Sequence, residues 1–98
     1  MIITHHGGQC FKVAFGETTL AFDPISKDSK KLEAVKFGAD IAFVSLNDPD
    51  FNGVDQVSFG ERQPFVINGP GEYEVKKVTA LAFPTTSTYG GKERSNTV

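Results

Sequence analysis

The sequence predicts an α/β or α+β domain with a mixed, largely antiparallel β-sheet and one or two short helices. Nine Phe and many Val, Ile and Thr residues suit half-buried strands. Clusters of Gly, Pro, Asp and Asn separate short apolar runs, which is typical of closely spaced strands and turns. Only one segment has a helical pattern of charges and apolar residues. With 98 residues, we expect a single domain spanning residues 1–98.

Composition and charge exclude several classes of function. Ten Lys and Arg residues against twelve Asp and Glu residues give a net charge of −2, which does not attract nucleic acid or an anionic membrane surface. No apolar run approaches the roughly 20 residues that cross a bilayer, and the N-terminus lacks the pattern of a signal peptide. The single cysteine, Cys10, cannot form an internal disulfide. We therefore expect a cytoplasmic protein that binds neither nucleic acid nor membranes.

Alternating apolar residues predict a sheet in the first part of the chain. The predicted strands are residues 1–4, 10–15 and 18–22. Gly16 and Glu17 join the last two strands as a hairpin. Asp23-Pro24 ends that hairpin, because proline lacks a ladder donor and restricts the residue before it. Residues 26–38 form the predicted helix, with a thin apolar face and Gly38 after its C-terminus.

A continuous apolar run predicts the central strand of the sheet. It covers residues 39–45, and its unbroken core at residues 41–44 is typical of a strand that is covered on both faces. Three further strands are predicted, at residues 64–67, 73–75 and 78–83. The segment Gly69-Pro70-Gly71-Glu72 predicts a sharp turn. From residue 84 onward the chain predicts a polar loop.

The loop after the central strand carries the densest group of chemical side chains. Five acids and no Lys or Arg lie between positions 40 and 61, namely Asp40, Asp48, Asp50, Asp55 and Glu61. The spacing Asp48-x-Asp50-x-Asn52-Gly53 matches the first half of a calcium loop, but its twelfth position is Phe59 rather than a glutamate. A turn in which Asp and Asn side chains bond nearby backbone amides is the favoured interpretation.

Other candidate residues do not form a recognisable site. His5 and His6 are adjacent, so in a strand they point to opposite faces and do not chelate one ion together. Cys10 lies in an apolar strand pattern, where a buried inert thiol is the default. The glycine-rich turn lacks the lysine of a phosphate loop, and the sequence has no Gly-x-Ser-x-Gly nucleophile elbow.

The order of these features resembles the N-terminal half of metallo-β-lactamase-fold proteins, in the branch of Zn-dependent hydrolases of the β-lactamase fold. The matching segments are Gly-x-x-Cys-Phe at 7–11, Phe-Asp-Pro at 22–24, Gly-Ala-Asp-Ile-x-Phe-Val-Ser at 38–45 and Gly-Pro-Gly-Glu-Tyr-Glu-Val at 69–75. The resemblance covers residues 2–98. It implies an αββα sandwich of two similar halves with metal at the sheet edge, of which this chain matches one half.

The resemblance also implies where metal ligands belong. By position, the family motif His-x-His-x-Asp-His falls on Leu46, Asp48, Asp50 and Phe51, and a further family histidine falls near Ser87. Only Asp50 keeps the family residue, and Asp48 offers at best a substitute oxygen donor, so these two are the candidate metal ligands. Zinc prefers nitrogen and sulfur donors, whereas carboxylates alone favour Mg²⁺ or Ca²⁺. We therefore expect no cofactor, with Zn²⁺ only if the family chemistry is retained.

Three functions remain open at this point. The first is a non-catalytic binding or structural module, because a water that is not metal-bound keeps its high pKa and no catalytic residue remains. The second is a metal-dependent hydrolase of an ester, phosphodiester or lactone, completed by a second half. The third is a homo-oligomeric structural protein, since an open sheet face and edge are association surfaces. The expected partner is a second copy or the missing second half of the fold.

Overall fold

Strands dominate the computed structural model, which describes residues 1–59 and 63–98. The described strands are β1 Ile2–Gly7, β2 Cys10–Phe15, β3 Thr18–Phe22, β4 Ile41–Phe43, β5 Phe65–Ile67, β6 Gly71–Val75, β7 Val78–Ala82, β8 Pro84–Tyr89 and β9 Lys92–Thr97. The helical content of these residues is one 3-10 turn, η1, at Val54–Val57. Within the described residues there is no helix long and apolar enough to cross a membrane.

The central sheet contains five strands in the order β1-β2-β3-β4-β5. Strands β1 to β3 are antiparallel, whereas β4 runs parallel to both β3 and β5. The sheet is therefore mixed, as predicted. Because β3, β4 and β5 run in the same direction, the loops that follow them all emerge at the carboxyl ends of these strands. Ligands bind at this end of the strands in open parallel sheets.

The first face of the sheet, which carries Ala21 and Ala42, packs against irregular chain. Its buried cluster comprises Cys10, Ala21, Ile25, Val35, Ala39, Ala42 and Val57. The two parallel connections, residues 23–40 and 44–64, supply the members that lie outside the sheet. Cys10 is fully buried, and burial raises the pKa of its thiol, so the structure agrees with an inert packing role for this residue.

The predicted helix at residues 26–38 is wrong. The segment is irregular, with a single local turn from the nitrogen of Ser29 to the carbonyl oxygen of Ser26 at 3.1 Å, and the backbone of its second half bonds to other segments. The amide nitrogens of Val35, Phe37 and Ala39 donate to the carbonyl oxygens of Ile25, Gln56 and Val57 at 3.4, 3.2 and 3.0 Å. Donors at every second residue are the pattern of extended chain. Tertiary hydrogen bonds and burial of alternate residues therefore override a weak helical pattern.

The second face of the sheet, which carries Leu20 and Ile41, packs against a hairpin formed by β6 and β7. Alternate hairpin residues point toward the sheet, and the packed set is Tyr73, Val75, Val78, Ala80 and Ala82. Strands β6 and β7 pair antiparallel with Val75 opposite Val78. Their period-2 apolar pattern is why this part of the sequence was predicted correctly as strands.

The second correction concerns the C-terminal segment, where a polar loop was predicted. Residues 84–97 form the hairpin of β8 and β9, with Tyr89 opposite Lys92. Gly90 and Gly91 occupy the turn with φ of 64° and 81°, values that suit glycine in a two-residue hairpin turn. Both faces of this hairpin carry polar residues, so the apolar alternation that indicates a strand is absent from its sequence.

The two histidines contact opposite faces of the sheet. The ring of His5 stacks on Phe11 with centroids 4.6 Å apart. The ring of His6 stacks on Phe37, a residue packed against the first-face cluster, at 5.2 Å. The prediction that these side chains diverge is therefore confirmed, and each has an aromatic packing partner.

Candidate functional site

The loop after β4 is anchored at its base by Asp23, which directly follows β3. The backbone nitrogen of Ser45 donates to one carboxylate oxygen of Asp23 at 2.7 Å, and the Ser45 hydroxyl donates to the other at 2.9 Å. Asp23 has φ of 47°, a conformation that aspartate tolerates better than most residues. Burial raises the pKa of Asp23, and the two bonds from Ser45 oppose that rise. These bonds join the carboxyl ends of β3 and β4.

A close backbone approach fixes the far end of the same loop. The nitrogen of Gly53 donates to the carbonyl oxygen of Pro24 at 2.7 Å. The nitrogen of Ser26 donates to the carbonyl oxygen of Pro49 at 2.9 Å. A Cβ atom at Gly53 would lie 2.6 Å from the backbone carbon of Ile25. Position 53 therefore requires glycine, and residues 45–53, which we call the motif loop, are held at both ends by residues 23–26.

Two positions of the motif loop are filled by packed apolar side chains. Leu46 is 4% exposed and Phe51 is 5% exposed. The Phe51 ring meets the ring of Tyr89 edge-on, with centroids 4.8 Å apart. Neither side chain has an atom that coordinates a metal ion. Their burial shows that they contribute packing to the loop.

Asp48 is paired with an arginine from the C-terminal hairpin. The Arg94 guanidinium lies 3.1 Å from one Asp48 oxygen and also donates to the carbonyl oxygen of Asn47 at 2.6 Å. The other Asp48 oxygen accepts from the backbone nitrogen of Asp50 at 3.0 Å. The predicted turn built on Asp and Asn side chains is thus present, and a guanidinium supplies positive charge at Asp48.

Asp50 is 8% exposed and is bonded on both oxygens. One oxygen accepts from the Ser29 hydroxyl and the other from the Tyr89 hydroxyl. The bond from Ser29, and to a smaller extent the bond from Tyr89, hold the pKa of Asp50 below its ordinary value. The same contact with Asp50 raises the pKa of Tyr89 to about 12. Asp50 therefore remains a carboxylate at neutral pH and is stabilised by protein hydroxyl groups.

Ser87, the position of the further family histidine, is on β8. Its hydroxyl donates to the side-chain oxygen of Asn96 on β9, across the hairpin. Ser87 is therefore directed to its neighbouring strand rather than to Asp48 or Asp50. Of the positions that the resemblance relates to one metal site, four lie in the motif loop, whereas Ser87 lies in the hairpin and is turned to another partner.

These residues do not fit a zinc ion. Leu46 and Phe51 offer no donor atom, and all four carboxylate oxygens of Asp48 and Asp50 accept hydrogen bonds from the protein. Across residues 1–59 and 63–98 there is no group of three or more His, Cys, Asp or Glu residues placed to hold a metal. Zinc sites use mainly nitrogen and sulfur donors in a four-coordinate arrangement, which this arrangement does not supply.

The segment that most specifically carried the resemblance forms a clamped turn beside the second face. The Tyr73 hydroxyl donates to the carbonyl oxygen of Gly69 at 2.9 Å. Gly71 has φ of 153°, and a Cβ atom there would lie 3.3 Å from the Tyr73 ring. Pro70 and Glu72 flank this glycine and are exposed. The turn delivers β6 onto the sheet.

Comparison with known families decides the relationship. A family model described as a beta-lactamase superfamily domain matches residues 2–98. This chain belongs to the metallo-β-lactamase-fold superfamily. No curated protein and no solved structure matches it significantly.

In this superfamily domain, sequence reasoning missed three residues that complete the motif loop. They are Ser29, Tyr89 and Arg94, all distant in sequence from the aspartates that they contact. All three lie in segments whose secondary structure differs from the prediction, Ser29 in the predicted helix and the other two in the predicted polar loop. The one signal that could have found a partner was charge, because the acidic run 40–61 has no Lys or Arg of its own and requires cations from elsewhere in the chain. The fifth acid of that run, Glu61, lies outside the described residues.

An open cleft of about 980 Å³ lies between the motif loop, the turn after β5 and the β8–β9 hairpin. Four amide side chains line it, those of Asn47, Asn52, Asn68 and Asn96. The other lining residues are hydroxyl-bearing or apolar, and no charged residue is among those described. Asp48 and Asp50 contact the hairpin instead of lining this cleft, so the two aspartates and the cleft are separate features of the superfamily domain.

Proposed function

We propose that this metallo-β-lactamase-fold domain is a non-catalytic binding module, a pseudoenzyme in which the metal-ligand positions serve structure. The observation that carries the proposal is that Asp48 and Asp50, the two motif aspartates, accept hydrogen bonds from protein donors on all four oxygens. The guanidinium of Arg94 supplies at Asp48 the positive charge that a metal ion would otherwise provide. Leu46 and Phe51 support it, because buried apolar side chains occupy two further ligand positions.

The chemistry of the superfamily gives the reason why these replacements matter. A metal ion lowers the pKa of bound water from about 15.7 to about 7 and so generates the nucleophile. Asp50 does not take over as a general base, because the bonds from Ser29 and Tyr89 keep its pKa low. Tyr89, with a pKa of about 12, is a poor proton donor near neutrality. The motif loop thus retains neither metal chemistry nor an acid–base pair tuned for catalysis.

Metal content and thermal stability test the proposal together. Purified protein is incubated with ZnCl₂, passed through a desalting column, analysed for zinc, and then melted with and without EDTA. We expect substoichiometric zinc and a melting temperature that EDTA does not change, since a ligand that binds the folded state would raise it. Stoichiometric zinc with an EDTA-sensitive melting temperature would overturn the proposal and restore the hydrolase alternative.

Two variants test whether the motif aspartates take part in any zinc binding. Asp50→Asn removes a charge from the motif loop, and Asp55→Asn removes one from an exposed position in η1. If the motif aspartates bound zinc, only Asp50→Asn would lower its content. We expect neither variant to change the zinc content, and we expect hydrolysis of ester, phosphodiester and lactone substrates to remain at background in both.

A second proposal concerns association, and the exposed edge strand β1 favours it. Strand β1 ends the central sheet and pairs with β2 only among the described strands. Its Ile2 and Ile3 side chains are 69% and 62% exposed. Because these adjacent residues point to opposite faces, both faces are apolar at the start of the strand. We propose that two copies pair through β1, which would extend the sheet across a self-complementary interface.

Sedimentation of two lysine variants tests this association. Ile3→Lys places a charge on the β1 edge, and Leu81→Lys places the same charge at a residue of β7 that is 60% exposed. We expect dimers for the parent chain and for Leu81→Lys, and monomers for Ile3→Lys. A monomeric parent chain, or dissociation by Leu81→Lys instead, would contradict pairing through β1.

A further inference from the structure

The geometry points to the open cleft as the binding site for a neutral, hydroxyl-rich ligand of the saccharide class. This inference rests on the proposed non-catalytic function, since it describes a ligand that the domain retains without cleaving it. It adds the location of the site and the chemistry of its occupant. The motif aspartates are not part of it, because their oxygens are bonded to the hairpin and to Ser29.

The described residues that line the cleft carry no charge, which selects against ionic ligands. Charged residues make up 22% of the chain, yet none is among the described residues that line the cleft. A phosphate or carboxylate entering it would lose hydration without meeting a counter-ion, which is costly. A neutral ligand loses less, so the lining discriminates by charge before any specific contact is made.

The amide side chains supply the matching hydrogen-bond chemistry. An amide group offers two donors and two acceptor lone pairs, and a sugar hydroxyl both donates and accepts. Asn52 donates to the side-chain oxygen of Asn47 at 2.8 Å. This bond orients both groups and leaves the Asn47 nitrogen and the Asn52 oxygen for a ligand. Asn96 is oriented in the same way, since its oxygen accepts from Ser87.

Size and apolar lining complete the fit. The volume of about 980 Å³ lies at the upper end of the range of about 300–1,000 Å³ for small-molecule sites, which suits a short oligosaccharide. Val54, Val66 and Pro84 are among the lining residues, and they present apolar surface to the C–H faces of a sugar ring. Polar groups that fix orientation, together with apolar surface, are the usual composition of a small-molecule site.

Nuclear magnetic resonance with N,N′-diacetylchitobiose as the probe tests the inference. This disaccharide is neutral and carries both hydroxyl and amide groups. Titrated into ¹⁵N-labelled protein to 20 mM, it should shift the side-chain amide signals of Asn47, Asn52, Asn68 and Asn96. The same titration with chitobiose, its cationic deacetylated form, should give at least tenfold weaker binding.

Two matched variants locate the site. Thr86→Asp places a charge in the cleft on β8, and Thr79→Asp places the same charge on the exposed side of β7, away from the cleft. We expect Thr86→Asp to weaken binding of the neutral probe at least tenfold and Thr79→Asp to leave it unchanged. The backbone spectrum recorded in each titration shows whether each variant is folded.

The outcomes separate this inference from the proposed function. Shifts at the cleft asparagines with an intact probe would support both. The absence of shifts, or shifts confined to other surfaces, would overturn the saccharide site and leave the non-catalytic proposal standing. Binding at the cleft with cleavage of the probe, visible in its own proton spectrum, would uphold the site and overturn the non-catalytic proposal.

Discussion

The two C-terminal hairpins are held to the rest of the protein mainly by different kinds of contact. The β6–β7 hairpin buries alternate apolar side chains against the second face of the sheet. The β8–β9 hairpin is held by polar contacts from Tyr89 and Arg94 to the motif loop. One backbone bond adds to this near its base, from the nitrogen of Thr97 to the carbonyl oxygen of Ser45 at 2.8 Å, and Phe83 and Val98 close the base of the hairpin with two further bonds at 2.7 and 2.9 Å.

This difference shows how one small protein joins similar elements in two ways. Apolar burial is non-directional and contributes in proportion to area, so the β6–β7 hairpin depends on packing. Charge-assisted hydrogen bonds are directional, and removing one partner leaves the other unsatisfied. We therefore expect the β8–β9 hairpin to be sensitive to single substitutions, to pH and to salt, and four predictions separate the two kinds of attachment.

The largest expected effect comes from the apolar attachment. Ile67 is 3% exposed and belongs to the cluster under the β6–β7 hairpin. We expect Ile67→Ala to lower the free energy of unfolding by about 2–5 kcal/mol, through lost burial and a residual cavity. Urea denaturation measures it. The control Leu81→Ala, at an exposed residue of β7, should change stability by less than about 0.5 kcal/mol, and equal losses would contradict this account.

A smaller effect is expected from the polar attachment. Asp50→Ala leaves the hydroxyl groups of Ser29 and Tyr89 without their acceptor, and we expect a loss of about 1–3 kcal/mol. Hydrogen exchange should show faster opening of β8 and β9 than of β6 and β7. Asp55→Ala, at an exposed acid, serves as the control. If Asp50→Ala opened both hairpins equally, the β8–β9 hairpin would not be a separate unit.

Acid should loosen the same hairpin selectively. The pKa of Asp50 is lowered on folding, so its contribution is present above its ordinary value near 3.8 and is lost as the pH falls through the lower folded pKa. We expect hydrogen exchange of β8 and β9 to accelerate below about pH 4. Asp23 acts with the opposite sign, because its raised pKa favours the folded state at acid pH. Asp50→Asn should remove the acid sensitivity of the hairpin.

The smallest effect is expected at the ion pair between Arg94 and Asp48. The two side chains are 30% and 20% exposed, so solvent screens their attraction. Lysine cannot reproduce the fork with which Arg94 reaches both Asp48 and Asn47. We expect Arg94→Lys to cost less than about 1 kcal/mol and the difference from the parent to shrink in 1 M NaCl. A difference that persists at high salt would indicate a packing role for Arg94.

Much of the sheet could be predicted from sequence, because its strands alternate or bury apolar residues. Strands β2 and β3 begin and end where predicted, and β4 to β7 differ from prediction by one or two residues at their ends. The β8–β9 hairpin was missed because its residues are polar on both faces. Its Gly90-Gly91 turn between Thr-rich and polar segments was the available signal.

The irregular segment over the first face failed for a different reason. Several lysines around Leu32 and Val35 suggested a helix, whereas Val35, Phe37 and Ala39 also alternate as in extended chain. The local pattern could not decide between a helix and an extended chain. The backbone bonds to Ile25, Gln56 and Val57 favour the extended chain. The candidate ligands Asp48 and Asp50 were located by resemblance, but their donors come from residues 21 to 46 positions away, a separation that local reasoning does not bridge.

The anchoring of the motif loop has a consequence for how such a domain can change. Asp23 and Gly53 hold the two ends of the loop, and neither is one of the four positions that the resemblance relates to a metal site. Substitutions at Leu46, Asp48, Asp50 or Phe51 change packing or hydrogen bonds within the loop, but they leave in place the bonds that hold its two ends. We therefore expect the loop to accept exchanges at these positions one at a time, at a cost in stability, and engineered ligands could be introduced into it by the same route.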